Sequence, residues 1–311
     1  MNLPIKLALP ENFLNKEIRC GYEVSEKLKK IWAVELDLLA EFDRVCVKHG
    51  IKYQVFAGTL LGAVRHKGFI PWDDDVDVCL LRSEYEKLLS VLHEFKHPYF
   101  FQTPYNDTVY FSTHARFRNS ETTGVVKGQE SSGYNNGIYI DVFVLDTFVE
   151  RPLVYKIQKV WIRILTTILV AKTNSDYISE SILKRILRRL VKYLFYFVPY
   201  LAILRFRDWV VSFFNSKSAN ERSRVSLVTH VNWFTEKYWL LRNEMLKSER
   251  YKFENIQVYG PSDFDSVLKR PYGDYMQFPP VEERGKWHEG IIHFEPEIPY
   301  KEYLSRKNDA K

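Results

Sequence analysis

The stretch GTLLGAVRHKGFIPWDDDVDV, residues 58–78, sets a Gly-Thr pair at one end and four carboxylates within five residues, Asp73, Asp74, Asp75 and Asp77, at the other. Just upstream, KYQVFAG (52–58) is rich in β-branched and aromatic residues. It predicts a strand that ends at Gly58-Thr59 in a tight turn, then a short helix over LLGAVRHKG (60–68). Strand, glycine, helix is an order that suits phosphate, because free amides and the helix dipole both favour an anion there. Downstream, DVDVCLL (75–81) alternates acid and apolar before turning wholly apolar, which reads as a strand with Val76 and Val78 facing a core. On such a strand Asp75 and Asp77 share a face about 6.6 Å apart. They can converge on one hard cation or bridge a pair of ions. A solvated acidic turn explains the same acids without chemistry, so the pattern alone leaves both readings open.

Working outward, apolar residues at helical spacing (Leu28, Ile31, Trp32, Leu38, Leu39, Phe42, Val45, Cys46) predict one long helix over residues 25–49, stopped by Gly50. Ser83 with Glu86 reads as a capping box opening a helix to about Phe95. Further strands are expected around residues 99–103, 109–118 and 137–146, separated by Gly, Ser, Asn and Asp. Residues 150–210 change to long helical runs with twelve Lys and Arg against four Asp and Glu. After about residue 250 come a turn at VYGPSD (258–263), a short helix near 264–269 and the Pro/Gly-punctuated tail YGDYMQFPPVEERGKWH (272–288).

A length of 311 residues allows one large domain or two smaller ones, and 46% apolar with 27% charged residues excludes a disordered chain or a disulfide scaffold. The net charge of +6 is too mild to require nucleic acid, and none is expected as a partner. Cys20, Cys46 and Cys79 make no zinc-ligand spacing and fit a reduced compartment. The opening MNLPIKLALPENF has no apolar run of signal length, so the expected location is the cytoplasm. The longest uncharged run, residues 193–204, contains Pro199 and spans only about 18 Å as helix, too short to cross a bilayer. Arg188, Arg189, Lys192, Arg205 and Arg207 flank it, which fits a peripheral contact with anionic lipid on the inner face of the membrane. A helical bundle with a solvated basic face is the competing reading.

A third acid, in Ile140-Asp141-Val142, sits in a later predicted strand; Asp146 competes with it but reads as closing that strand. A Gly-Thr turn, two strand acids and a third acid on a neighbouring strand are the arrangement of a nucleotidyltransferase fold. The expected architecture is therefore α/β (α+β): a nucleotidyltransferase-like mixed sheet with flanking helices and a helical, basic insertion. Residues 1–150 and 250–311 would form the catalytic domain and 151–249 the helical region.

The segment EFDRVCVKHGIKYQVFAGTLLGAVRHKGFIPWDDDVDVCLLRSEYEKL (41–88) closely resembles the signature of the LicD family, as do GIYIDVFVLD (137–146) and YGDYMQFPP (272–280) followed by Arg284 and His288. The resemblance covers roughly residues 30–150 and 250–290. It implies a metal-dependent phosphocholine transferase that takes CDP-choline, passes phosphocholine to a hydroxyl of a cell-surface glycan or glycolipid precursor and releases CMP. On that reading Asp75, Asp77 and Asp141 hold Mg²⁺ (or Mn²⁺) and carry the catalysis, Asp141 also accepting the acceptor's proton. Gly58 and Thr59 cradle phosphate, and Arg65, His66 and Lys67 neutralise the diphosphate. Trp72 walls a choline site, because a quaternary ammonium is recognised by aromatic faces. Arg116 and Arg118, alternating in HARFR (114–118), face the nucleotide phosphates, and His288 contacts nucleotide or acceptor. Competing readings are transfer of another CDP-activated polyol phosphate or of a nucleotidyl group, a glycosyltransferase using DVD, and a noncatalytic membrane-bound scaffold.

Overall fold

The computed structural model describes residues 3–126, 133–173, 182–215, 220–230, 233–285 and 291–309. A small hairpin, β1 (Glu17–Arg19) and β2 (Tyr22–Val24), precedes the long helix α1 (Glu26–Lys48). Ser25 caps α1 by accepting from the Leu28 N–H, and Gly50 just past its end takes φ 62°. Next come β3 (Gln54–Val55), α2 (Ala57–Arg65), β4 (Asp77–Leu81), α3 (Arg82–Ser90), β5 (Tyr99–Gln102), β6 (Ala115–Asn119), β7 (Thr123–Val126) and β8 (Ile138–Thr147). Three helices, α4 (Pro152–Thr173), α5 (Ile182–Leu194) and α6 (Tyr200–Ser212), follow. The chain then runs through β9 (Arg224–Ser226), α7 (Trp233–Lys237), β10 (Trp239–Leu241), α8 (Arg242–Leu246), β11 (Ser248–Phe253) and β12 (Ile256–Pro261). It ends with α9 (Phe264–Tyr272), β13 (Ile291–Glu295) and α10 (Tyr300–Asp309).

The mixed α/β architecture expected from the sequence is present, organised about β8. This ten-residue strand pairs parallel with β4 on one side, and β3 lies antiparallel beyond β4. On its other side the first half of β8 pairs with β6, which leads to β5, while its last two residues pair with β9, which leads to β10. Strands β9 and β10 thus return to the sheet from within the stretch expected to be helical. Helix α1 packs on the sheet through Ile31, Leu38, Leu39, Phe42 and Val45, all in the main core with Phe117, Ile140 and Val142. A second apolar cluster joins α4 and α6 through Ile162, Leu165, Leu169, Leu204 and Val211.

Several local expectations are corrected. Gly58 and Thr59 lie inside the first turn of α2, which starts right after a two-residue β3. Asp75 precedes β4, so only Asp77 of the pair is a strand residue. Helix α3 starts at Arg82, one residue before the expected Ser83 cap, so the capping position falls to Leu81, whose side chain cannot accept a hydrogen bond, and Ser83 lies within the helix. VYGP at residues 258–261 is the second strand of the β11–β12 hairpin, paired over six residues with β11, and is not a turn. Arg207, expected to face lipid, is buried and donates to Thr166 Oγ1 and the Thr229 carbonyl.

Candidate active site

Strand register brings the site together. Parallel pairing sets Asp77 of β4 beside Asp141 of β8, and antiparallel pairing sets Arg116 of β6 on the other side of Asp141, giving one row across three strands. Asp141 Oδ1 receives the Arg116 Nε at 3.0 Å and lies 3.1 Å from His114 Nε2. Arg116 in turn rests on the Tyr139 ring at 3.9 Å, and His114 stacks on His230. The two acids consequently differ in electrostatics. Burial tends to raise the Asp141 carboxyl, but His114 and Arg116 overcome it and hold the group well below the usual range. Among the described residues Asp77 has no such cationic partner: burial, with Asp141 and Asp73 beside it, pushes its carboxyl well up. Burial, Asp73 and Asp77 do the same to Asp75.

Helix α2 is tied to these acids by two contacts. The Thr59 hydroxyl accepts from the Asp77 N–H at 2.8 Å, and the Phe56 N–H donates to the Asp77 carbonyl at 2.9 Å. Ala57, the residue before Gly58, takes φ 46°, a conformation that costs a residue with a Cβ. At Gly58 a Cβ would stand 3.1 Å from Asp73 Oδ2, so the glycine admits the acid loop against the helix start. The loop is fixed from below by Trp32 of α1, whose indole N–H donates to the Asp73 carbonyl at 2.8 Å.

The other expected residues fall elsewhere. Arg65, His66 and Trp72 form a second group with the tail. Arg65 donates to the Tyr275 and Gln277 carbonyls, His66 stacks on Phe278, and the Arg284 guanidinium covers the Trp72 ring at 4.6 Å. Burial and then Arg65 lower His66 to a pKa of about 4. Lys67 is exposed, and its carbonyl accepts from the Glu254 N–H. Arg118, instead of facing a phosphate, is fully buried, donating to Gln102 Oε1 and the Gly137 carbonyl. His288 lies outside the described residues. Asp146 is a structural acid, bound through both oxygens by Arg82 and also by Asn215.

Four residues near the acids were missed. His114 alternates with Arg116 and Arg118 in HARFR, so the period of two that grouped the arginines could have included it. Glu35 interrupts the apolar stripe of α1; it is buried, its Oε2 makes no hydrogen bond, and burial with Asp74 and Asp73 pushes its carboxyl well up. Asp37, two residues on, is by contrast held by the Lys6 and Leu7 amides and the Tyr99 hydroxyl. Tyr238 and Tyr272, packed edge-on at 5.9 Å, both feel Asp77 electrostatically; nothing in the local sequence marks Tyr238, whereas Tyr272 opens the YGDYMQFPP segment and could have been singled out there.

Among the described residues no three Asp, Glu, His or Cys side chains form a ready-made metal cage. The donor set still fits Mg²⁺. That ion is commonly bound by one or two carboxylates together with waters and substrate phosphate oxygens, and Asp77 with Asp141 or Asp75 offers oxygen donors that repel one another without a cation.

Residues 50–168 match the family described as LicD/FKTN/FKRP, nucleotidyltransferase domain. That segment is similar to the nucleotidyltransferase domain of the LicD family. The whole row of acids, Gly58-Thr59 and the Arg116–Asp141 pair lie inside that match. A lipopolysaccharide cholinephosphotransferase LicD of Haemophilus influenzae is 27% identical over 266 residues, 84% of this chain and 96% of its own length. An uncharacterised protein of Rickettsia typhi is 40% identical over 76 residues, 24% of this chain and 23% of its own. Another, from Rickettsia prowazekii, is 41% identical over 59 residues, covering 19% and 22% respectively.

Proposed function

We propose that this chain is a LicD-type phosphotransferase that moves phosphocholine from CDP-choline to a hydroxyl of a cell-surface glycan or glycolipid precursor, releasing CMP. The observation that carries the reading is the row Asp77, Asp141, Arg116 held against the first turn of α2. The similarity to the H. influenzae enzyme along most of both chains supports it.

Phosphoryl transfer needs the diphosphate held, its growing charge neutralised and the incoming hydroxyl placed in line, with little covalent help from protein. Gly58 and Thr59 bring the α2 N-terminus to the diphosphate, and the Thr59 hydroxyl, while accepting from Asp77, retains its proton for a phosphate oxygen. Asp77 and Asp141, with Asp75 adjoining, would hold Mg²⁺, which supplies positive charge to the departing CMP phosphate. Asp141 serves as an anionic ligand and not as the base, because a carboxyl held far below neutral pH takes protons poorly. The three cysteines are free, Cys46 and Cys79 being buried, in keeping with a cytoplasmic compartment as part of this proposal.

A second reading, transfer of another CDP-linked polyol phosphate, is favoured by one observation. The Trp72 ring, the expected wall of a choline site, already carries Arg284. Incubating the chain with CDP-choline, Mg²⁺ and candidate acceptors, and identifying the products by mass, separates the two donors. Asp77→Asn should lower kcat by about 10²–10³ without lowering the melting temperature. Unchanged turnover in that variant would remove Asp77 from the mechanism.

A further inference from the structure

Helix α5, ILKRILRRLVKYL, is amphipathic in the wrong direction for a core helix. At 3.6 residues per turn Ile182, Leu183, Ile186, Leu187, Leu190, Tyr193 and Leu194 fall on one side, and Lys184, Arg185, Arg188, Arg189 and Lys192 on the other. A surface helix ordinarily turns its apolar stripe inward. Here none of the thirteen residues is buried. Only Val191, at the margin of the stripe, touches the α4–α6 cluster, joined by Phe195 just beyond the helix. Leu183 is 76% exposed, Leu194 75% and Phe197, in the following turn, 92%. Helix α4 adds Leu153, Ile157, Val160, Trp161 and Ile164, all exposed, and Trp161 continues through Phe206 to Trp209 of α6. An exposed apolar surface of this extent marks an interaction site.

Charge and composition choose the occupant. Helix α5 carries five cations and no acid, with Lys184 and Arg189 bordering the apolar stripe on either side, a charge that matches an anionic surface. Lys184, Arg189 and Lys192 are exposed, and their long stems let the charged ends reach headgroups while the leucines sit deeper. Tyr193, Tyr196, Trp161 and Trp209 are amphipathic rings of the kind enriched at membrane–water interfaces. No helix among the described residues is long and apolar enough to cross a membrane, so the contact is with a surface.

We propose that α5, with the turn after it and the exposed side of α4, lies in the plane of an anionic lipid bilayer, its apolar stripe in the headgroup and acyl boundary. The inference stands on the helices alone and is independent of the reaction at the acid row.

The test uses the full chain and vesicles of phosphatidylcholine, alone or mixed equally with phosphatidylglycerol, read by co-sedimentation and by the blue shift of tryptophan emission. Partition should favour the anionic vesicles and weaken as salt rises. Replacing Leu187→Glu and Leu190→Glu together should reduce it at least tenfold with circular dichroism and melting unchanged, since both side chains are already in solvent. Replacing Lys184→Gln, Arg189→Gln and Lys192→Gln together should reduce it about a hundredfold, at roughly a factor of five per cation. Failure to bind anionic vesicles, or equal binding to neutral ones, overturns the proposal. So does sedimentation showing a dimer that the leucine variant dissociates, because the face would then belong to a second copy.

Discussion

Asp77 and Asp141 stand side by side in register yet meet opposite electrostatic fates, and the difference is one arginine and one histidine. Asp141 is paired, so its carboxyl contributes stability that is present above the ordinary carboxylate pKa of about 4 and fades as pH falls below it. Asp75 and Asp77 run the other way. Their raised carboxyls keep protons in the folded chain that the unfolded chain releases, so without a divalent cation stability drops as pH climbs past about 4. Mg²⁺ held by the ionised forms, as proposed above, would reverse that loss. Thermal melts with chelator and with Mg²⁺ should give a metal-dependent rise in Tm that is larger at about pH 8 than at about pH 5. No rise at either pH would mean that the acids do not form a cation site.

At the scale of single elements, α1 and β8 were fully legible. The first has a periodic stripe, a serine cap and a glycine stop, and the second a run too apolar for anything but a buried strand. The acid-bearing segment was legible in position but not in conformation. Nothing local told that Asp75 falls before the strand or that Gly58-Thr59 already belongs to the helix, because both depend on the bond from the Asp77 N–H to the Thr59 hydroxyl, eighteen residues back. That bond makes its own prediction. Thr59→Val leaves a buried N–H without an acceptor and should cost about 1–3 kcal/mol. Because the same amide positions Asp77, kcat should fall with it, whereas Thr59→Ser should restore both. Urea melts and initial rates on the two variants check the pairing; a fully active Thr59→Val would show that α2 and β4 are held by other contacts.

For the molecule as a whole, composition and the order of elements sufficed to place the mixed sheet and the basic helices. They could not show that β9 and β10 come back to the sheet, or that Arg116 would be turned onto Asp141 and Arg118 sealed beneath tyrosines, because such pairings join residues far apart in the chain. One long-range pair binds the sheet to the helix behind it: Arg82 of α3 donates to both oxygens of the fully buried Asp146. Arg82→Met should destabilise the fold by about 3–5 kcal/mol, since it strands a buried carboxylate with Asn215 as its remaining partner. Equilibrium unfolding would measure the loss, and a change under about 1 kcal/mol would mean that Asp146 finds water or another donor.

Strand β8 carries Asp141 and Asp146 five positions apart, an odd interval, so a pleated ribbon turns them to opposite sides. Two side chains of identical chemistry are kept from competing for the same arginines by parity alone. Inserting or deleting one residue between them would make the interval even and turn both to one side, so that either Asp141 leaves Arg116 for the side of Arg82 or Asp146 leaves Arg82 for the side of Arg116. The spacing from Asp141 to Asp146 therefore carries as much information as the two residues themselves.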